Sequence, residues 1–490
     1  MKFTADQLAR MLLESGARTG PLHRRVSDGI RELVDLGELP PGALLASERD
    51  LAVALAVSRT TVVTAYQTLH QEGRLERRQG SGTRVSLPVA HHGARETVSA
   101  NVLAGDHAAT PFLNGPLATI DFSSAALPFL PLVADVASSV TRDDYLRLGG
   151  EHHGYHPRGL PALRERLAGW YTESGLPTTP DQILITNGAQ QALEIIIAGC
   201  VQPGDGVVVE DPTYRGAIEA FDQAGCRIRP VRCDENGMDV AALARLAAAG
   251  PPRLVYAQST VHNPTGAVLT PDRRLRLVKV ASEHDAVLVE DTVLAGTVFD
   301  GPSLQPLAAI DDNARILTVG SMSKLFWGGL RLGWIRGSTR AISRLAQLKG
   351  FSDLGTSLVS QQIAARLLDH MDEAAESRRA ELAVGREHLT RLLAEHLPEW
   401  TWTEPAGGPS LWVALPAADT AHFAQVALRF GVAILPGSVF SAGGLGADHT
   451  RLPYSLPHSV IAAGVYRLAR AWSVYLGEGP EHVPVVSVTT

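Results

Sequence analysis

The chain of 490 residues is too long for one ordinary domain, and its 45% hydrophobic and 19% charged content is typical of a globular protein with a sizeable core. No run of the sequence approaches the roughly 20 apolar residues of a membrane span. The start of the chain has acidic residues and no compact apolar segment, which argues against a secretory signal. Its three cysteines lack metal-type spacing, so we expect reduced, buried thiols in a cytoplasm and no metal site.

The net charge of −7 argues against a protein coated by nucleic acid, but the charge is unevenly distributed. Residues 1–88 carry 12 Lys and Arg against 10 Asp and Glu, whereas the remainder of the chain is net −9. Within residues 49–84 there are six arginines and three acids. This weak basic footprint is expected when only one small module contacts DNA.

The sequence pattern of residues 1–88 predicts a set of helices followed by a β-hairpin. Apolar residues recur at helical spacing before the stop signal Gly37, namely Leu22, Val26, Ile30, Leu33 and Leu36. Ser47 is an N-cap candidate with Asp50 three positions on. The segment "AVS" then separates this helix from another over about residues 59–72, and "LERRQGSGTRVS" alternates as a short hairpin does.

Residues 89–118 lack periodicity and are rich in Ala, His, Gly and Pro, which predicts a linker. From residue 119 to 490, strand-like runs such as "QILIT", "GVVVE", "RLVYAQ", "AVLVED" and "RILTVG" alternate with helical stretches. That alternation predicts parallel β–α–β units in a three-layer α/β domain. The chain is therefore expected to be multidomain, with a small α+β module at residues 1–88.

The small module has the spacing of a helix-turn-helix, whose second helix directs its N-terminus at bases and phosphates. Arginine can bond guanine in bidentate fashion, and threonine can bond a phosphate or contact a thymine methyl. The candidate DNA-contacting residues lie at the two helix starts and on the hairpin, namely Ser47, Arg49, Ser58, Arg59, Thr60, Thr61, Arg78, Gly80 and Arg84. The alternative from pattern alone is a surface helix pair with solvated arginines.

The run from "PLHRRV" through "ERDLAVALAVSRTTVVTAYQTLHQEGRLERRQGSGTRV" closely resembles the winged-helix domain of GntR-type bacterial regulators over about 65 residues. The resemblance implies a winged helix-turn-helix that binds double-stranded DNA. The loop around Gly80 is then the tip of the wing, beside Arg78 and Arg84.

A second group of motifs suits pyridoxal 5′-phosphate (PLP), which needs a lysine amine, a carboxylate for its ring nitrogen and a site for its phosphate. Lys324 is the lysine candidate, flanked by the hydroxyls of Ser321 and Ser323 and followed by Arg331. Asp291 ends the strand-like "AVLVED", at the end of a strand where ligand groups gather in α/β sheets. Alone, each has an ordinary alternative, such as a lysine in a polar loop or an aspartate that caps a helix.

Three further motifs are compatible with the same cofactor. "HNPTG" supplies Asn263 for the ring hydroxyl, although Asn-Pro with Gly also predicts a simple turn. "TNGAQQAL" predicts a helix start whose first N–H groups, those of Gly188, Ala189 and Gln190, have the form of an anion site, although any β–α turn with glycine shares this form. "EDPTY" places Tyr214 where its ring can stack on a pyridine.

The order of these motifs, with "GYHPRGLPALRERLAGW" before them and "GLRLGW" after, resembles fold-type I aminotransferases over about residues 120–475. The resemblance implies the roles above, with Lys324 forming the Schiff base and Ser321, Ser323 and Arg331 binding the phosphate. It also implies that Tyr155 reaches the phosphate in the neighbouring subunit and that Arg451 binds a substrate carboxylate; a surface salt bridge is the alternative for Arg451. The chain departs from the family at Val293, where a tyrosine is usual, and at Gly328, where a proline is usual.

Together, the two halves resemble the MocR subfamily of GntR regulators across nearly the whole chain. The resemblance implies a PLP-binding regulator, assembled as a head-to-tail homodimer on operator repeats, that senses PLP or an amino compound through Lys324. Vitamin B6, GABA, taurine and amino-acid metabolism are all controlled by relatives. The competing interpretations are a working aminotransferase with an accessory DNA-binding domain and a cofactor-free dimerisation scaffold.

Overall fold

The structure is a computed structural model that describes residues 3–14, 21–35, 39, 43–71, 74–78, 82–85, 119–151, 153–300, 304–311, 315–416 and 418–477. These residues divide into two compact units. The smaller unit contains the described residues up to Thr119 together with 422–432 and those from 470 onward. The larger unit contains residues 120–421 and 433–469.

The N-terminal part of the smaller unit consists of helices and an antiparallel hairpin, as predicted. Its elements are α1 (Ala5–Glu14), α2 (Leu22–Asp35), α3 (Glu48–Ala54), α4 (Arg59–Gln71), β1 (Leu75–Arg78) and β2 (Gly82–Val85). In the hairpin, Leu75 pairs with Val85 and Arg78 with Gly82. The predicted residues Leu36, Gly37 and Gly80 and the predicted linker 89–118 lie outside the described residues.

Serine caps determine where the two helices of the helix-turn-helix begin. The Ser47 hydroxyl accepts the N–H of Asp50 at 3.2 Å and lies 2.7 Å from the Asp50 carboxylate, which confirms the predicted cap. Ser58 accepts the N–H of Thr61 at 3.1 Å in the same way. Each cap satisfies an N–H that has no partner within the helix and stabilises that helix by about 1 kcal/mol.

The apolar stripe predicted on α2 packs against α4. Val26, Ile30 and Leu33 are buried in a core that also contains Val62 and Leu69. Leu22, which the spacing placed on the same stripe, is instead 51% exposed because it is the first residue of the helix.

The larger unit is built on an eight-stranded sheet. Its strands are β4 (Ile183–Thr186), β5 (Gly206–Asp211), β6 (Arg227–Asp234), β7 (Gly237–Met238), β8 (Leu254–Ala257), β9 (Val287–Asp291), β10 (Ile316–Ser321) and β11 (Gly333–Arg336). The order across the sheet is β4-β11-β10-β9-β8-β5-β6-β7. Strands β10, β9, β8, β5 and β6 are mutually parallel, as predicted, whereas β11 is antiparallel to both of its neighbours.

Strand β11 does not follow the predicted pattern of parallel β–α–β units, for a geometric reason. The connection from Ser321 to Gly333 holds only a short turn with one 3₁₀ segment at Gly328–Leu330. A parallel crossover needs a dozen or more residues and usually a helix, so the chain returns beside β10 in the opposite direction. The lysine candidate lies in this connection.

Helices cover both faces of the sheet and complete the three layers. The side chains of strand β5 alternate between the two faces. Val208 packs in the core on one face, and Val207 and Val209 pack in the core on the other. The helices are α5 (Leu132–Ser138), α6 (Arg142–Glu151), α7 (Pro161–Glu173), α8 (Gly188–Cys200), α9 (Arg215–Gln223), α10 (Val240–Ala249), α11 (Pro271–Glu283), α12 (Thr339–Asp353), α13 (Leu358–Leu367) and α14 (Met371–His396).

The C-terminal part adds a three-stranded antiparallel sheet. Its strands are β12 (Thr401–Trp402), β13 (Ser410–Ala414) and β15 (His449–Pro453), with Leu411 opposite Leu452. The remaining elements are β3 (Ile120–Asp121), α15 (Thr420–Arg429), β14 (Val432–Ala433) and α16 (His458–Tyr475). Among the described residues, no helix is long and apolar enough to cross a membrane.

Candidate functional site

The motifs predicted to bind the cofactor meet at one edge of the large sheet. Strand register places Ser321 beside Gly333 and Gly333 beside Thr186, so the loops after β10 and β4 are neighbours. Asp291, at the end of β9, is aligned with Val319 on β10, two residues before Ser321. Ligand groups gather at the carboxyl ends of parallel strands, and this edge is where β4, β9 and β10 end.

The start of α8 forms one wall of the candidate phosphate site, which we define as residues 187–190 with Ser321, Ser323 and Arg331. Arg331 donates from Nη2 to the carbonyl of Asn187 at 3.1 Å. A Cβ on Gly188 would lie 3.5 Å from that same nitrogen, and Gly188 has a φ of +82°. Arg331 therefore lies against the N-terminus of α8, an arrangement that suits an anion.

The serines complete this wall. The Ser321 Oγ accepts the N–H of Ser323 at 3.1 Å and lies 3.0 Å from both the Ser323 Oγ and the Leu332 carbonyl. Ser321 is buried at the end of β10, whereas Ser323 is partly exposed. Two hydroxyls thus lie close together in the connection after β10 that also carries Arg331, and hydroxyls and a guanidinium are groups that bind phosphate.

Lys324 is partly buried and donates from Nζ to the carbonyl of Ala125 at 2.9 Å. Burial and the nearby Arg451 together lower the pKa of its amine from 10.5 to about 8, while Asp291 opposes the shift. A lysine with a pKa near 8 has an appreciable neutral fraction at neutral pH, and the neutral amine is the nucleophile. Lys324 is therefore chemically suited to attack an aldehyde.

Asp291 is held by two donors. The Tyr256 hydroxyl donates to Oδ2 at 2.6 Å, and the backbone N–H of Val293 donates to Oδ1 at 2.9 Å. Burial raises the pKa of the Asp291 carboxyl, while these hydrogen bonds and Lys324 oppose the shift. A carboxylate fixed in this way can hold a ring nitrogen protonated.

Arg451 is buried and connects several parts of the site. It donates from Nη1 to Asn263 Oδ1 at 3.2 Å and from Nη2 to the carbonyl of Ser123 at 2.6 Å. Its guanidinium lies 4.9 Å from the centre of the Phe440 ring. Burial lowers the pKa of Arg451 to about 10, and its buried Nε has no hydrogen-bond partner among the described residues. These features exclude the surface salt bridge that the sequence left as an alternative.

The side chains of Tyr214 and Gln190 contact each other. The Tyr214 hydroxyl donates to Gln190 Oε1 at 3.2 Å, which links the loop before α9 to the first turn of α8. Burial raises the pKa of the Tyr214 phenol, with Asp291 adding to the shift. The phenol is therefore neutral, which suits the stacking role expected from the sequence.

Tyr155 is the predicted cofactor residue that the chain does not bring to this cluster. It is 59% exposed, and its ring centre lies 5.4 Å from that of His153. It borders a cavity of about 510 Å³ beside the start of α7, together with Arg158 and Arg164.

Sequence reasoning missed the groups that hold these residues in place. Tyr256 lies inside an apolar strand, where nothing distinguishes it from a core residue. The fully buried Lys349 donates to Asp353 at 2.6 Å, and that carboxylate also accepts from the side chains of Asn187 at 2.7 Å and Gln191 at 2.8 Å. This network, defined here as the Asp353 network, holds the start of α8 through Asn187 and Gln191.

The candidate DNA-contacting residues of the smaller unit are mostly accessible. Ser47, Arg49, Ser58, Arg59 and Thr60 are exposed at the starts of α3 and α4. The Thr61 hydroxyl lies 2.8 Å from that of Ser58, so it takes part in the cap.

On the hairpin, Arg84 is partly exposed, beside Leu44. The backbone of Arg78 pairs with Gly82, while Gly80 lies outside the described residues. The contiguous, accessible start of α4 matches the geometry by which a recognition helix presents its N-terminus to DNA.

Comparison with known proteins agrees with both halves. Residues 119–468 match the family described as aminotransferase class I and II, and residues 22–85 match bacterial regulatory proteins of the gntR family. The uncharacterized HTH-type transcriptional regulator YisV of Bacillus subtilis is 30% identical over 457 residues, which span 89% of this chain and 92% of YisV. The probable rhizopine catabolism regulatory protein MocR of Rhizobium meliloti is 30% identical over 332 residues, 64% of this chain and 65% of MocR.

Among solved structures, the large domain is similar to LysN, the alpha-aminoadipate aminotransferase of Thermus thermophilus, complexed with N-(5′-phosphopyridoxyl)-L-leucine. The TM-score is 0.67 at 31% identity, covering 74% of this chain and 94% of LysN. The aminotransferase match covers more than half of the chain, and a gntR-family DNA-binding domain precedes it. The chain therefore belongs to the aminotransferase class I and II family, whose cofactor is PLP, and is a transcriptional regulator of the MocR type within the GntR family.

Proposed function

We propose that this regulator responds to PLP, or to an amino compound that reacts with PLP, through Lys324. The observation that carries the proposal is the environment of Lys324, whose amine has a pKa lowered to about 8 beside Asp291 and Arg451. A lysine that served only a scaffold would have no need of this environment. In the same chain, the exposed start of α4 would bind DNA, and this binding is what the effector would change.

The residues of the larger unit fit PLP. The N–H groups of residues 188–190 with Ser321, Ser323 and Arg331 suit the phosphate, while Asp291 suits the ring nitrogen and Asn263 the ring hydroxyl. When bound, PLP supplies an aldehyde that condenses with primary amines and a ring that accepts electrons. Lys324 holds the amine that competes with an incoming amine, and Tyr256 orients Asp291 through its 2.6 Å hydrogen bond.

Arg451 suggests which amines compete with Lys324. Its Nε is buried and unpartnered among the described residues, and its other nitrogens are fixed by Asn263 and Ser123. A guanidinium held in this way, with an Nε–H that has no partner among the described residues, favours a carboxylate as its ligand. Amino acids and related amino-carboxylates are therefore the effector class that we favour over simple amines.

The DNA target follows from the small module. We propose that Ser47, Arg49, Ser58, Arg59, Thr60 and Thr61, with Arg78, Gly80 and Arg84 on the hairpin, contact operator DNA. Two modules joined in a head-to-tail homodimer would read operator repeats with the added affinity of a bivalent ligand. The exposed Tyr155 is available to reach the partner subunit's cofactor phosphate in such a dimer. An effector changes DNA binding only if it favours one arrangement of the modules over another.

A DNA-binding assay on the chain's own upstream region tests the proposal. Fluorescence anisotropy would follow binding of the labelled duplex while PLP and then candidate amino acids are added one at a time. We expect the apparent Kd to change with PLP or one amine in the wild type and to stay constant in Lys324→Ala. Lys279→Ala is the matched control, because Lys279 is an exposed lysine on α11 paired with Glu283.

Retained effector response in Lys324→Ala would overturn the sensing proposal while leaving DNA binding intact. A wild-type protein that ignores both PLP and amines would overturn it as well. Absorbance of bound PLP in each variant shows whether the cofactor itself was retained.

The alternative function is a working aminotransferase with an accessory DNA-binding domain. The observation that favours it is the intact set of Lys324, Asp291 and Arg451, which are the groups that transamination needs. Incubation with an amino acid and a 2-oxo acid distinguishes the two functions. Many turnovers per chain would favour the enzyme, whereas conversion that stops at about one equivalent per chain would favour the regulator.

A further inference from the structure

A second cluster of reactive side chains lies in the interior of the larger unit. It consists of Glu210 on β5, Cys233 on β6 and His262 in the turn after β8. The His262 Nε2 lies 3.6 Å from Glu210 Oε2 and 4.0 Å from Cys233 Sγ. One ligand atom from each residue lies within 4.8 Å of the other two. None of the three belongs to the candidate cofactor site.

The cluster lacks an obvious countercharge within the described part of the chain. The side chains of Glu210 and His262 are each 1% exposed. Burial raises the pKa of Glu210 to about 8, although the N–H of Gln258 donates to its carboxylate at 2.8 Å. Burial also lowers the pKa of His262 to about 4, against the effect of a backbone hydrogen bond to Pro212. The buried side chains of Glu210 and His262 thus face each other. A bound cation would stabilise the carboxylate form of Glu210 and the neutral imidazole of His262, which are the forms that bind a metal ion.

The imidazole is oriented as in a metal ligand. His262 Nδ1 lies 2.8 Å from the hydroxyl of Thr265, so Nε2 is directed at Glu210 and Cys233. Histidines that bind metals almost always engage their second ring nitrogen in a hydrogen bond, which fixes the tautomer and the ring plane. Thr265 supplies that partner within the same turn.

We propose that Glu210, Cys233 and His262 bind one divalent transition-metal ion of the zinc class. Thiolate, imidazole and carboxylate together are a ligand set that zinc accepts, and three protein ligands leave one position of the tetrahedron open. Bond lengths of about 2.0–2.3 Å place tetrahedral ligand atoms roughly 3.3–3.6 Å apart. The two distances at His262 need to close by up to a few tenths of an ångström, and the third, between Glu210 and Cys233, lies within 4.8 Å and needs to close by up to about 1.3 Å through movement of these side chains. Binding releases the proton of the Cys233 thiol and that of the Glu210 carboxyl to solvent, because both ligands bind the ion in their deprotonated forms.

The ion would fix the turn that carries Asn263. His262 precedes Asn263 directly, and Gln258 bonds both the Glu210 carboxylate and the backbone of Asn263. Metal binding at His262 would therefore stabilise the loop whose Asn263 side chain accepts from Arg451. This role is structural and does not depend on what the regulator senses.

Metal analysis of the full chain tests the site. Protein without a polyhistidine tag, produced in zinc-supplemented medium and gel-filtered, is analysed by mass spectrometry of the elements. We expect about one zinc ion per chain in the wild type and in the control Cys226→Ser, and at least a tenfold loss in Cys233→Ser and His262→Gln. Cys226 is the control because it is a partly exposed cysteine outside the cluster.

Cobalt provides a readout that does not depend on how much zinc survives purification. Stripped protein reconstituted with Co²⁺ should show a thiolate-to-cobalt charge-transfer band that Cys226→Ser keeps and Cys233→Ser loses. Circular dichroism and PLP absorbance of each variant confirm that it is folded. The proposal is overturned if folded wild-type protein binds neither ion, or if Cys233→Ser binds as much metal as the wild type.

Discussion

The DNA-binding start of α4 and the candidate cofactor site obtain their geometry from different ranges of the chain. Ser58 and Thr61 fix the recognition helix within four residues, through a hydroxyl that accepts a nearby N–H. The cofactor site instead collects groups from Asn187 to Arg451, and strand register brings them together. Local hydrogen bonds suffice to present a helix to DNA, whereas a ligand site that surrounds its cofactor needs a folded sheet.

Loss of the Asp353 network should have the largest effect, since the lysine that it pairs is fully buried. Asp353→Ala leaves the fully buried Lys349 without its carboxylate and should lower the free energy of unfolding by about 3–5 kcal/mol. Urea denaturation, monitored by tryptophan fluorescence, measures this change in the free energy of unfolding. Asp369→Ala, which removes an exposed pair with Arg166, should cost no more than about 1 kcal/mol. Equal losses in the two variants would contradict the buried-network interpretation.

Arg331→Ala should have the second-largest effect. It tests phosphate binding, whereas Asp353→Ala tests the free energy of unfolding. Removing a charge-assisted contact to phosphate should weaken PLP binding by about 1.5–3 kcal/mol, roughly 10- to 150-fold. Titration of PLP followed by absorbance measures the change, with Arg276→Ala as a control on the exposed face of α11. Unchanged PLP affinity would show that the candidate phosphate site is misplaced.

Arg59→Ala tests the DNA-binding start of α4, the region whose geometry is set by local hydrogen bonds. The variant should lose about 1–3 kcal/mol of operator affinity, as expected for one arginine that contacts a base, while PLP binding stays constant. Gln67→Ala is the control, because Gln67 is exposed on the same helix but lies away from its N-terminus. Comparable weakening by both variants would mean that α4 does not present its first turn to DNA.

The smallest effect concerns the pH dependence of Lys324. Because its pKa is lowered to about 8, the rate of PLP capture by cofactor-free protein should rise about tenfold per pH unit below pH 7.5 and level off above 8. Between about 8 and 10.5 the unfolded chain binds a proton that the native lysine does not, so stability should rise with pH there. Stopped-flow absorbance checks the rate. Continued increase to pH 10 would indicate an ordinary exposed amine.

Much of this arrangement was predictable from the sequence alone. The caps at Ser47 and Ser58, the hairpin and the five main strands are signalled by neighbouring residues, because capping and alternation depend on local spacing. The order of the cofactor motifs resembles that of fold-type I aminotransferases, and this resemblance implied that Lys324, Asp291 and Asn263 share one site.

Tertiary structure alone decided the rest. The short connection after Ser321 reverses β11, and Tyr256 reaches Asp291 from the neighbouring strand; neither has a distinguishing local pattern. Cys233 was expected to be a buried, reduced thiol outside any metal site, because sequence spacing cannot show that Glu210 and His262 lie beside it. Burial and long-range pairing depend on where distant strands lie relative to one another, and that is fixed only when the sheet has formed.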